Sequence, residues 1–212
     1  MCNRYRTGAI DKVRNAIPAR PMREFNLQSD VYPGYPGMVI RDIDGERVLD
    51  AMTWGFPVRL ASMKPTSKPK PINNARDDKL MSPRSIWKPS FEHRRCLIPL
   101  EAWSEPEGER GRMTCTWYSL PGVEIFAVGG IWRPSDEWGD CYSMVMVDGC
   151  PQMSDVHDRM PVILTPDQYD GWMNGTPEDA LAMVRTCHDD LVVNRSTTPW
   201  FKRKGAEAGP LI

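Results

Sequence analysis

The chain is 212 residues long, 41% hydrophobic and 26% charged, with a formal net charge of -1. That length supports a sizeable core, so neither a disulfide framework nor a structural metal is needed for stability. No apolar run approaches the ~20 residues that span a bilayer, and the polar, basic N-terminus lacks the apolar stretch of a signal peptide. The expectations are a cytoplasmic protein (nucleoid-associated in a bacterial or phage setting) with no membrane partner, and a single domain over 1–212 whose tail is loose from about residue 202.

Taken in order, residues 2–8 read as a short extended segment entering the core, and residues 10–16 as a brief helix stopped by Pro18 and Pro21. Pro33, Gly34, Pro36 and Gly37 mark an irregular loop. Residues 38–41 and 47–54 then read as strands turning at Asp44-Gly45. Residues 64–71 interleave proline and lysine, which predicts an exposed extended loop rather than a helix or a ladder. Residues 83–92 predict a helix with Pro83 in its first turn.

From Cys96 onward the pattern changes to short runs rich in β-branched, aromatic and Met residues, at 96–104, 113–120, 125–133, 142–147 and 160–165. Helices are predicted at 167–173 and 177–187, the second opened by Thr176 as N-cap with Asp179 three residues on. Residues 191–193 return as a strand. The sum is an α+β fold, mostly short antiparallel strands curved into an open barrel, with a few peripheral helices.

The near-zero net charge hides an asymmetry. Residues 59–95 hold ten Lys/Arg against three acids, whereas residues 134–190 hold twelve acids against Arg159 and Arg185. The basic stretch suits a polyanion as partner, although a charge run is also what a solvated face looks like. The six cysteines contain no C-x-x-C pair, and the three histidines are not at zinc-finger spacing, so neither metal nor cofactor is expected. Cys96, Cys115 and Cys141 sit in strand-like runs as small core residues.

Cys2 has distinctive chemistry. Loss of Met1 would leave a free α-amine beside its own thiol, with reference pKa values of about 8 and 8.5. An aldehyde can condense with such an amine to an imine, and the thiol then closes on the same carbon as a five-membered thiazolidine. Taken alone, Cys2 reads more readily as the second residue of a frayed terminus. Glu101 and Glu105, the Asn73-Asn74 pair and His157 each interrupt apolar runs, and each alone has an ordinary structural explanation.

Together these residues resemble the SRAP (SOS response-associated peptidase) family. The resemblance rests on Met1-Cys2-x-Arg4, Trp54-Gly55-Phe56-Pro57, Asn74-Ala75-Arg76, the run from Arg94-Arg95-Cys96 to Glu105, and the run from His157-Asp158-Arg159 to Leu164. It implies covalent capture of abasic sites in single-stranded DNA by a monomer needing no cofactor. Cys2 is then the nucleophile, Asn74 holds the cysteine and the sugar, Glu105 shuttles protons, and His157 assists proton transfer at the opened sugar. Arg4, Arg76 and Arg159 correspond to phosphate-binding positions. An associated AP-lyase activity fits the same chemistry. The alternatives are a cysteine-type (auto)peptidase using Cys2 and a non-catalytic single-strand-binding module using the basic stretch. The chain departs from the family pattern at Asn3, at Asp77-Asp78, and at Ser104 and Pro106, which flank Glu105 where an aromatic residue and tryptophan are usual; Glu101 is the stand-in for Glu105.

Overall fold

Strands Pro36–Ile43 and Glu46–Trp54 form a hairpin whose two-residue turn has Asp44 at φ 54° and Gly45 at φ 84°. Positive φ at both turn positions matches the right-handed twist of the flanking strands, which is why an Asp-Gly step closes a tight hairpin. In this computed structural model, which describes residues 2–59, 62–64 and 66–200, that hairpin anchors the largest of three sheets. The expected loose tail from 202 lies outside the described residues.

The largest sheet runs in the order Arg159–Pro161, Cys141–Asp148, Phe126–Arg133, Arg95–Leu100, Pro36–Ile43, Glu46–Trp54 and Arg20–Pro21. Cys141 and Tyr142 also pair in parallel with Thr53 and Trp54, so the sheet comes back on itself as a partial ring. Asn74–Arg76 pairs in parallel with Met144–Met146, and Arg159–Pro161 pairs antiparallel with Met146–Asp148. The second sheet orders Val192–Pro199, Thr114–Ser119, Ala102–Glu107, Arg4–Arg6 and Asp30–Val31. Strands dominate and helices are few, as the alternation of the sequence implied. No helix among the described residues is long and apolar enough to cross a membrane.

Arg95–Leu100 is buried along its whole length, including its arginine. Arg95 donates to the carbonyls of Phe91 (2.6 Å) and Glu92 (3.1 Å), and also to those of Trp172 and Gly175. These carbonyls belong to the C-terminal turns of helices Lys88–His93 and Tyr169–Asn174, where a cation offsets the negative end of the dipole. Trp172 lies flat against Gly129, where a Cβ would come within 2.6 Å of its ring, and its Nε1 donates to the Cys96 carbonyl at 3.0 Å.

Several expectations need correction. The run 96–104 is two strands, broken at Glu101. The helix expected over 83–92 begins only at Lys88, because Pro89 has no N–H to donate and fits only a first turn. Residues 70–72 are not simply a loop: Lys70–Ile72 pairs with Phe56–Val58, with Pro71 opposite Pro57. This two-stranded ladder is isolated, so the missing proline donors interrupt no central sheet. Residues 160–165 form the two short strands Arg159–Pro161 and Ile163–Leu164. The helix opened by Thr176 ends at Met183 rather than 187, and its reciprocal capping bonds with Asp179 are both present at 3.1 Å. The last strand is longer than residues 191–193, running Val192–Pro199.

Candidate functional site

Arg4–Arg6 runs antiparallel to Ala102–Glu107, with Arg4 opposite Ser104 and Tyr5 opposite Trp103. Continuing this register towards the amino terminus carries Cys2 to the stretch holding Glu105. Cys2 is fully buried. Its carbonyl accepts two amide donors, Nδ2 of Asn74 and Nδ2 of Asn73, each at 2.8 Å. Its Sγ lies 3.5 Å from the Arg4 carbonyl as donor. Burial, and secondarily the charge of Glu105, pushes the thiol well above the usual cysteine range.

Glu105 is also fully buried, and burial pushes its carboxyl up to about 7. A carboxyl so placed can give or take a proton at neutral pH. His157 Nε2 stands 3.9 Å from Glu105 Oε2, and its Nδ1 accepts the Arg159 main-chain N–H at 2.9 Å. With Nδ1 acting as acceptor, the single proton of a neutral imidazole resides on Nε2, facing the carboxyl. Burial lowers the His157 pKa, which favours that neutral form. Asn74 spends its amide nitrogen on Cys2, while its Oδ1 is buried and accepts no hydrogen bond among the described residues.

Cys2, Asn74, Glu105 and His157 thus converge. Glu101 does not join them: its N–H donates to the Arg6 carbonyl and its carboxylate lies beside Gly8, along the strand away from Cys2. The three arginines each follow a clustered residue by two positions, Arg4 after Cys2, Arg76 after Asn74 and Arg159 after His157, and all are engaged in ion pairs. Arg4 pairs with Asp30 and donates to Cys115 Sγ at 3.1 Å. Arg76 pairs with Asp78 at 3.1 Å, and Arg159 pairs with Asp77 at 2.6 Å and Asp148 at 3.3 Å. Arg76 is the most exposed of the three, with 48% of its side chain accessible. A cavity of about 770 Å³ opens elsewhere, over Arg23, Phe25, Arg41, Asp50 and Trp138, and none of the four clustered residues lines it.

Sequence reasoning assigned no site role to Asn73, Asp77 or Trp117. Asn73 read as half of a turn-forming doublet, yet it enters the strand Asn74–Arg76 with its side chain on Cys2. Trp117 carries the guanidinium of Arg6 at 4.4 Å and that of Arg4 at 5.1 Å from its ring. The available signal was the register of its strand against Ser104, which is not visible before the pairing is known.

Comparison with known proteins gives the family of the chain. The chain is 26% identical over 163 residues to the abasic site processing protein HMCES of Pongo abelii, an alignment spanning 61% of this chain and 46% of that protein. It is 26% identical to YoqW of Bacillus subtilis, covering 73% of this chain and 70% of that one, and 26% identical to YedK of Escherichia coli, covering 68% and 63%. Both are also named abasic site processing proteins. A crystal structure from Bordetella bronchiseptica superimposes with a TM-score of 0.77 at 23% identity, over 92% of this chain and 99% of the other, and so shares the fold. The family model for SOS response associated peptidase (SRAP) matches residues 1–198, and the chain belongs to that family.

Proposed function

We propose that this protein processes abasic sites in DNA by capturing them covalently on Cys2 once Met1 has been removed. The observation that carries the reading is the convergence on one buried residue: two amides hold the Cys2 carbonyl, and a carboxyl poised near neutrality and an imidazole stand beside it.

The α-amine of Cys2 attacks C1′ of the ring-opened sugar, forming a carbinolamine. Glu105 takes the proton released from nitrogen and returns it to the departing hydroxyl, which leaves as water. The thiol adds to the resulting imine carbon, its proton passes to the nitrogen, and the thiazolidine closes. Aldehyde and aminothiol thereby give thiazolidine and water. A thiol held protonated by burial suits this order, since it adds only after the imine has formed and brings the proton that the nitrogen takes up. His157, with its proton on Nε2, is placed to donate to a sugar oxygen lying between it and Glu105. Asn74 Oδ1 is an open acceptor for a sugar hydroxyl. An imine at C1′ also acidifies the C2′ proton, so β-elimination is an accessible side path.

Single-stranded DNA is the substrate form this reading favours, since an enclosed nucleophile reaches a flexible sugar more readily than a stacked one. Arg4, Arg76 and Arg159 would exchange their carboxylate partners for phosphates. A peptidase reading draws less support, because His157 Nε2 faces Glu105 while the Cys2 thiol faces a carbonyl.

The test is incubation of the protein with an oligonucleotide carrying one abasic site, followed by a denaturing gel. Cys2→Ala is expected to lose the heat-stable adduct and to keep its affinity for single-stranded DNA. An adduct of undiminished yield in Cys2→Ala sinks the assignment.

A further inference from the structure

We propose that Asn73 and Asn3 form a positioning pair that fixes the amino-terminal cysteine for the crosslinking reaction; this rests on the function proposed above. Asn73 Nδ2 carries two hydrogens and both are committed: it donates to the Cys2 carbonyl at 2.8 Å and to Asn3 Oδ1 at 3.1 Å. Turning the carboxamide over would set Oδ1 against both acceptors, so these contacts fix its orientation. The main chain of Asn73 is itself anchored. Its carbonyl accepts Trp54 Nε1 at 3.1 Å and the Met144 N–H at 3.0 Å, and the residue is 8% exposed.

The consequence follows from connectivity. The amine and the thiol both hang from the Cys2 Cα, and the rotation of the adjoining carbonyl sets where each points. A single donor, that of Asn74, fixes the direction of that carbonyl but leaves it free to rock about the hydrogen bond. A second donor from a different residue removes that freedom. Chain ends fray unless tied down, and a nucleophile that wanders by an ångström loses much of its effective concentration. Asn3 is exposed and touches no reacting atom in this scheme; its amide oxygen keeps Asn73 facing Cys2.

The test is single-turnover crosslinking to an abasic oligonucleotide, with rate measured against DNA concentration for the unsubstituted protein, Asn73→Leu, Asn3→Ala and the double variant. Asn73→Leu is expected to slow the saturating rate about tenfold while leaving the half-saturating DNA concentration unchanged. Asn3→Ala is expected to slow it by a smaller factor, and the double variant to match Asn73→Leu, because the pair acts through one hydrogen-bonding nitrogen. Asn3 lies at the surface, so its variant folds even where the buried substitution does not. A saturating rate unchanged in Asn73→Leu overturns the proposal. So does a tenfold loss accompanied by an equal loss of DNA affinity and a lowered melting temperature, which would mark a merely structural role. Effects that multiply in the double variant overturn the pairing. Absence of a Cys2-dependent adduct in the unsubstituted protein is a separate failure: it removes the proposed function and this inference with it.

Discussion

His157 Nε2 stands 3.9 Å from Glu105 Oε2 while His157 Nδ1 accepts the main-chain N–H of Arg159 at 2.9 Å. The ring therefore presents a proton to the carboxyl across a gap longer than a direct hydrogen bond, and one substrate oxygen can reach both groups. Burial shifts the two groups in opposite directions, Glu105 up to about 7 and His157 below its ordinary value.

The first prediction concerns rate against pH. Near pH 7 Glu105 is divided between carboxyl and carboxylate, as a group must be if it first accepts a proton and then donates one. Crosslinking is expected to peak close to neutrality, falling on the acid side as the attacking amine and Glu105 protonate and on the alkaline side as Glu105 loses its acid form. Glu105→Gln is expected to lower the rate about 100-fold or more and to remove the alkaline limb. Single-turnover rates between pH 5 and 9 decide this, and an unaltered profile in Glu105→Gln would contradict it.

The same carboxyl makes a prediction about stability. Its folded pKa lies above its unfolded value, so between about pH 4.5 and 7 the unfolded chain has released a proton that the folded chain still holds. Stability then falls as pH rises through that window and levels off above it. Glu105→Gln keeps the shape and removes the charge. It is expected to be more stable than the unsubstituted protein at pH 8, by at most about 3 kcal/mol, and similar to it at pH 4.5. Urea unfolding at the two pH values measures this; a Gln variant equally destabilised at both would refute it.

A third prediction concerns the amine. If Cys2 acts through nitrogen and sulfur together, inserting a glutamate between Met1 and Cys2 leaves the thiol in place but converts the amine into an amide. The adduct is expected to disappear as completely as in Cys2→Ala. Intact-mass measurement on both chains checks the processing, and a crosslink from the extended chain would show that the thiol acts alone.

How much of this was legible in the sequence depends on the range of the interaction. The Asp44-Gly45 turn and the Thr176–Asp179 cap are decided within four residues, and both were readable. Cys2, Asn74, Glu105 and His157 stood out through their resemblance to a family, not through periodicity, since their meeting depends on pairings as distant as Arg4 with Ser104 and Asn74 with Met144. Asn73 was passed over because its local signal, an Asn-Asn doublet, speaks for a turn; only the register of the strand beside Met144 turns it inward. The short ladder of Phe56–Val58 with Lys70–Ile72 was hidden by prolines, which forbid a central strand but permit an isolated pair.

The charged rim gives a fourth prediction. Arg76 and Asp78 are held 3.1 Å apart, with both side chains more than 40% exposed, so the pair is weak and its arginine is readily transferred to a phosphate. Arg76→Ala is expected to flatten the plot of log affinity for single-stranded DNA against log salt by about 0.7. Asp78→Asn, which releases Arg76, is expected to tighten binding several-fold at low salt. Fluorescence anisotropy across a salt series tests both, and an Asp78→Asn variant that binds more weakly would argue against the exchange.

A fifth prediction rests on what sets the direction in which the terminus enters. The hydroxyls of Tyr5 and Tyr142 share a short hydrogen bond with both rings fully buried, and Tyr5 meets Trp54 edge-on at 4.9 Å. Gly37 leaves room for that bond: a Cβ there would lie 2.1 Å from each hydroxyl oxygen. Gly37→Ala is therefore expected to be destabilising by about 1–3 kcal/mol through overpacking. Tyr5→Phe is expected to cost about as much by leaving the Tyr142 hydroxyl buried without its partner. Tyr5→Phe with Tyr142→Phe should cost less than the sum of the single changes, because the double variant has no orphaned hydroxyl. Thermal unfolding of the three tyrosine variants tests the coupling, and strict additivity would rule it out. Because Tyr5 is three residues from Cys2 on one extended segment, Gly37→Ala is also expected to slow crosslinking, with a loss larger than the fraction unfolded can explain.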